Sequence, residues 1–286
     1  MTKKWISAIL CASIALVLSG CGNPEITTTK KSYSADGMVA VVKGSADHQD
    51  HLTYQIDNGK KHSVKVSNKT FVISVPLSTK QQTVTLKANK GKETVTKKVT
   101  VKKADALGKY SDISKKYNQV IVMSHLSNDE IKTLKLAEQI KNNPTEMMKN
   151  ATQLQKAQQV QQKMAQLQTI TKKQQLPTNT SGIKNLIKGN AFTLRANVQN
   201  GQMVGATMII PTKTFKNKDQ MKTFGTSFMA LSQAVGADGQ QVMKDFEKET
   251  KSQNKTQTTS KTIKSNGVKY SIGFSKTELY IYISKE

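Results

Sequence analysis

The sequence predicts a multidomain protein: an all-β N-terminal part, a helical connector, and a C-terminal α+β domain in which a helix pair lies on an antiparallel sheet. Three changes of pattern predict it. Apolar residues alternate with a period of two over 35–103, recur at about 3.6 over 104–179, and do both in turn over 181–286. The same changes set the boundaries: 1–20 a leader, 21–34 a tether, 35–103 a β-sandwich, 104–179 the connector with a long amphipathic helix, and 181–286 the α+β domain.

The leader begins with Lys3 and Lys4, continues as an apolar run from Trp5 to Leu18, and closes on Leu18-Ser19-Gly20-Cys21. This order resembles the lipobox of bacterial lipoproteins. The resemblance implies cleavage between Gly20 and Cys21 and attachment of a diacylglyceryl group to Cys21. Membrane lipid would then be the first partner, with the protein on the extracytoplasmic face of the cell membrane. The alternatives are an uncleaved membrane helix or an ordinary cleaved signal with a chance cysteine. The apolar run is shorter than the ~20 residues that spanning requires. Gly22 to Ser34 is polar and without periodicity, as a flexible tether would be.

Cysteine and charge narrow the chemistry. The two cysteines are Cys11, inside the leader, and Cys21, so a processed chain has no disulfide, thiol nucleophile or cysteine metal site. Removal of Lys3 and Lys4, with no acid lost, takes the formal charge from +25 to +23. Of the 44 basic residues all but Arg195 are lysine. Guanidinium forks supply the commonest specific base contacts, so this composition and export both argue against nucleic acid. Lysines suit diffuse attraction to an anionic wall polymer, an anionic lipid or an acidic surface protein; a merely solvated surface is the alternative. The lysine-rich, acid-poor composition resembles that of low-GC Gram-positive bacteria.

Over 35–103 the predicted strands are Met38 to Val42, leading into Gly44, then Leu52 to Ile56, Ser63 to Val66, Thr70 to Val75, Thr83 to Ala88 and Thr94 to Val101. Asp57-Asn58-Gly59 is a hairpin signal. The succession Gly44, Asn58-Gly59, Phe71-Val72-Ile73-Ser74-Val75-Pro76-Leu77, Val84-Thr85-Leu86 and Val99-Thr100-Val101 resembles the immunoglobulin-like domains of bacterial surface proteins. That resemblance implies a sandwich and no particular ligand. His48, Asp50 and His51 are the one cluster of metal-ligand types, with His62 as a possible fourth; three adjacent ligands are weak support, and a polar loop is the plainer reading.

Over 104–179, Ser127-Asn128-Asp129-Glu130 is a capping box, and Ile131, Leu134, Ala137 and Ile140 share a helix face until Asn142-Asn143-Pro144. A second helix is predicted from 144 to about 175, with Met147, Ala151, Leu154, Ala157, Val160, Met164, Leu167 and Ile170 as its stripe. Lys149, Lys156 and Lys163 recur on it at a spacing of seven. A helical hairpin, a coiled coil and a lysine-down surface helix all satisfy that pattern. His125 reads as a residue flanking a helix.

Over 181–286 the predicted order is strand, strand, helix, helix, three strands. Phe192, Leu194, Ala196 and Val198 alternate up to Asn200-Gly201, and Met203 to Ile210 returns. Asn217 caps a helix with Met221, Phe224, Phe228, Leu231 and Val235 inside, stopped at Gly236; Asp238 opens another with Val242 and Phe246. Strands follow around Thr262 to Lys264, Val268 to Phe274 and Leu279 to Ser284. On the last, Tyr280 and Tyr282 share a face opposite Leu279, Ile281 and Ile283, which makes the tyrosines a candidate contact surface or a stabilising cross-strand pair.

No nucleophile elbow, phosphate loop, zinc-protease motif or telling carboxylate pair is present, and no cofactor or catalytic residue is assigned. The reading is a membrane-anchored binding or interaction module of the cell envelope. An envelope enzyme or enzyme accessory with its site in the C-terminal domain, and a surface blocker of phage DNA entry, are the alternatives.

Overall fold

The computed structural model describes residues 22–141, 149–251 and 262–286. The leader with Gly20 and Cys21, the break at Asn142-Asn143-Pro144, Met147, and the polar stretch 252–261 lie outside the described residues. Among the described residues the fold is mixed α/β, with three sheets and five helices, rich in sheet at the N-terminal part and with helices in the middle and C-terminal regions. No described helix is long and apolar enough to cross a membrane. Contacts divide the chain into two compact units; 36–39 and 76–79 count with the second, together with 103–286.

The first unit holds two sheets. One is ordered β1 (Glu25–Thr28), β3 (Val39–Asp47), β6 (Thr70–Pro76); the other β2 (Ser32–Tyr33), β8 (Glu93–Val101), β7 (Gln82–Lys90), β4 (His51–Ile56), β5 (Lys61–Ser63). Period-two alternation puts Ala40 and Val42, Phe71, Ile73 and Val75, and Val84, Leu86 and Ala88 out of water. Residues 25–33 correct the expected tether. They form β1 antiparallel to β3 and β2 parallel to β8, with Ile26 and Tyr33 buried and the Tyr33 hydroxyl donating to the Lys43 carbonyl at 2.9 Å. Gly44 makes this possible. A Cβ there would stand 2.1 Å from the Thr27 carbonyl oxygen and 2.5 Å from the Phe71 ring, so β3 continues through Gly44 under β1 where the sequence suggested its end.

The second unit is built on a sheet ordered β10 (Gly182–Lys188), β11 (Thr193–Gln199), β12 (Gln202–Pro211), β15 (Glu278–Lys285), β14 (Val268–Phe274), β13 (Thr262–Ser265), with β9 (Gly108–Lys109) on the far edge of β12's start. These pairings are antiparallel. Helix α1 (Tyr110–Met123) packs on α4 (Lys218–Ala234), which packs on α5 (Gly239–Lys251). Asn217 Oδ1 accepts the Gln220 N–H at 3.0 Å and Asp238 Oδ1 accepts those of Gln240 and Gln241, so both expected caps are made. The core combines Leu194, Met208, Ile272 and Ile281 from the sheet with Tyr117, Phe224, Phe228 and Phe246 from the helices. Phe228 lies 5.5 Å from Phe246 and 5.8 Å from Tyr270, edge to face.

Two elements of this unit escaped the sequence reading. Helix α1 buries Tyr110, Ile113, Tyr117 and Ile121 at helical spacing, but it starts at Lys109 with no side-chain cap. Strand β10 carries a bulge between Asn185 and Ile187, which breaks the alternation that would reveal it.

Helices α2 (Asn128–Lys141) and α3 (Ala151–Ile170) pack together. The capping box is formed: the Ser127 N–H donates to Glu130 Oε2 at 2.8 Å, and Ser127 Oγ accepts the Glu130 N–H at 3.2 Å. Ala137 and Ile140 of α2 and Ala157 and Val160 of α3 are buried; Ile170 is exposed. Helix α3 ends at Ile170, five residues short of the expected end near 175, and 172–174 continue as a 3-10 turn. The return to β10 is fixed by Asn118, whose Nδ2 donates to the Leu176 carbonyl at 2.9 Å while its Oδ1 accepts the Leu176 N–H at 2.7 Å. The Tyr110 hydroxyl adds a bond to the Pro177 carbonyl at 2.7 Å.

Candidate functional site

Strand β15 places its two sets of side chains on opposite faces of the large sheet. Leu279, Ile281 and Ile283 are buried beneath the helices, and Tyr280 and Tyr282 occupy the other face. Their rings stack with centroids 6.1 Å apart and planes within 10°. The Tyr280 hydroxyl donates to the Glu278 carboxylate, which raises the phenol's pKa because ionising it would set two negative charges together. Tyr282 is 36 % exposed; its pKa is also raised, first by burial of its inner edge and then by the Asp36 carboxylate.

Register identifies what shares this face. Residues directly opposite across strands point the same way, so Tyr282 continues a row through Thr207 to Arg195 and Asn185, with Ser271 on its other side. Arg195 is held there by its own Nε, which donates to Asn185 Oδ1 at 2.7 Å. Tyr280 is flanked by Ile209 and Gly273. Small residues beside the rings leave room: a Cβ on Gly273 would stand 3.6 Å from the Tyr282 ring, and one on Gly37 only 3.3 Å. Toward the start of β12 the face is closed by residues of the same unit, where Asn197 Nδ2 donates to the Leu77 carbonyl at 2.9 Å and the Met38 carbonyl at 3.2 Å. The open part is therefore an aromatic pair, with Arg195 two strands away on the same face beyond the buried Thr207. The tyrosines were legible from alternation within one strand. Arg195 was not, because its place depends on the pairing of β11, β12 and β15 across a long stretch of chain.

The remaining sequence candidates are dispersed. Lys163 is bound by both oxygens of Glu130, at 2.7 and 3.0 Å, so α3 does not carry three equivalent free lysines. That contact holds the Glu130 carboxyl below its ordinary pKa. Lys156 is exposed on the same helix, and Lys149 lies two residues before its start at Ala151 and has a partner of its own. His48, at φ 53°, turns toward the Asp47 carboxylate 3.7 Å away. Asp50 Oδ2 accepts the Gly91 N–H at 2.9 Å, His51 is exposed in β4, and His62 stacks on Tyr54 at 5.1 Å. Asp50 and His51 border a polar cleft of about 390 Å³, but no three ligand-type residues among the described ones are grouped to hold a metal ion.

A second cleft, of about 580 Å³, opens between the turn at 212–216, α4, α5 and the ends of β14 and β15, with a mainly apolar lining. No sequence pattern marked it, since its walls come from five separate elements.

No family model matches this chain, and no curated protein matches it. Among solved structures it is similar to an engineered protein, whose crystal structure was determined at 1.98 Å resolution by the Northeast Structural Genomics Consortium, with 15 % identity and a TM-score of 0.25 over 30 % of this chain. The match spans 21 % of that protein's length and carries no argument about fold or function.

Proposed function

We propose that the protein is an envelope lipoprotein, anchored through a lipid on Cys21, that binds an anionic wall polymer on the open face of its C-terminal sheet. The observation that carries this reading is the stacked, part-exposed Tyr280–Tyr282 pair, with Arg195 two strands away on the same sheet face. Flat aromatic faces suit the apolar sides of sugar rings, and the guanidinium suits an acidic substituent. The formal charge of +23 after loss of the leader supplies long-range attraction to a polyanion. The first unit, with its three-stranded and five-stranded sheets, is read as an immunoglobulin-like sandwich acting as a spacer; the alternating burial along β6 and β7 supports this.

Co-sedimentation of the purified protein with purified cell walls tests the reading. Retention should be firm at low salt and fall steeply as salt rises. Truncating a tyrosine at the centre of a contact typically costs ~1–2 kcal/mol, so the Tyr280→Ala, Tyr282→Ala double variant should bind about tenfold or more weakly. Equal retention of that variant and the parent would overturn the assignment of the face. Replacing Cys21 with Ser should abolish incorporation of labelled fatty acid; persistent labelling would remove the anchor.

A further inference from the structure

We propose that the cleft between α4 and α5 binds one free fatty acid, its acyl chain inside and its carboxylate toward solvent. This site is separate from the tyrosine face and does not depend on it. At about 580 Å³ the cleft falls within the ~300–1,000 Å³ usual for small-molecule sites. Its interior is made by the rings of Phe215, Phe224, Phe246 and Phe274 with Leu279. Two of these rings are left partly in water by the fold, Phe215 in the turn at 212–216 at 39 % and Phe274 at the end of β14 at 44 % exposure.

Two further features favour a flexible, unbranched occupant. Met221 and Met243, unbranched and polarisable, line the walls and can re-pack around a chain of variable path. Gly225 sits in the interior of α4, where glycine costs roughly 0.5–1 kcal/mol relative to alanine. A Cβ there would just touch Met243 Cε at 3.4 Å, so a side chain larger than alanine at this position would extend into the space between the helices.

The polarity of the ligand follows from what the lining lacks. Glu247 is its one charged group and is exposed, so no set of polar groups converges inside to receive a sugar or a peptide backbone. The exposed lysines Lys216, Lys222, Lys244 and Lys276 stand one or two positions from lining residues, alongside the acids Glu247 and Glu278. An anionic head is therefore held outside the apolar interior, in solvent, where lysines can pair with it and offset Glu247.

Isothermal titration of the purified protein with oleate, kept below its micelle concentration, tests the proposal. The expected result is saturable binding near one equivalent with a negative heat-capacity change, as apolar burial gives. Phe274→Asp, at a part-exposed position at the end of β14, and Gly225→Leu, which adds a side chain to the lining, should each weaken binding at least tenfold. Tyr282→Ala should leave it unchanged, which separates failure here from failure of the wall-binding face. Absence of saturable binding, indifference to both variants, equal affinity for methyl oleate, or binding to phosphatidylglycerol vesicles without binding to monomeric oleate would each overturn it.

Discussion

Replacing Tyr270 with Phe and Ser232 with Ala together should stabilise the second unit, and increasingly so at alkaline pH. The Tyr270 ring is wholly buried and meets Phe228 edge to face at 5.8 Å, a contact that Phe keeps. Its hydroxyl faces that of Ser232 on α4, also wholly buried, and neither makes a hydrogen bond of good geometry. A buried polar group without a partner costs ~1–3 kcal/mol, whereas replacing both members by apolar groups of similar shape is neutral or favourable. The double variant should therefore gain about 1–2 kcal/mol near neutral pH, read as a higher urea midpoint at unchanged slope.

The pH dependence has a definite sign. Burial raises the Tyr270 phenol from 10.0 to about 12. Above pH 10 the unfolded chain gives up this proton while the folded chain keeps it, so stability present below pH 10 is lost as pH rises toward 12. At ~1.4 kcal/mol per decade the loss is about 3 kcal/mol, and the variant escapes it. Its advantage over the parent should widen from about 1–2 to about 4–5 kcal/mol across that interval. Tyr110, likewise raised to about 12 by burial, and Tyr117, also raised by burial, titrate alike in both proteins and cancel in the comparison. Destabilisation at neutral pH, or an advantage that does not grow, would refute the account of two idle hydroxyls.

Other perturbations have equally definite outcomes. Gly44→Ala places a Cβ 2.1 Å from the Thr27 carbonyl oxygen and should cost about 3 kcal/mol or more, visible as lost amide protection in β1, β3 and β6 with the second unit still protected. Asn118→Ala removes both bonds to Leu176 and should lower stability by about 1–3 kcal/mol by urea titration, with Asn118→Asp recovering at most the acceptor half. Glu130→Gln should lower the melting temperature slightly at neutral pH. Because Lys163 holds the carboxyl below its ordinary pKa, the difference from the parent should disappear as pH falls through the carboxylate range.

Local signals carried most of the second unit. Asn200-Gly201 and Asn266-Gly267 have φ near 50° and 72°, the paired left-handed conformation that two-residue hairpins need, and the strands they join were evident for that reason. Ser127 and Glu130 announced α2, and Asp238 announced α5. Apart from the uncapped α1, what escaped lacked a local cause. Residues 25–33 are polar and become strands only because distant β3 and β8 offer their edges, with Gly44 giving way beneath β1. The same limit applied to function. Alternation within β15 revealed the tyrosines, but Arg195 joins them only through register, and the apolar cleft is assembled from a turn, two helices and two strand ends.

The central claim is that the open sheet face contacts an anionic wall polymer, and amide chemical-shift mapping with solubilised polymer tests it most directly. The account predicts salt-sensitive shifts concentrated on Tyr280 and Tyr282, on Gly273 and Ser271 beside them, and on Arg195. Shifts confined to α3 or to the first unit, or none at low salt, would contradict it.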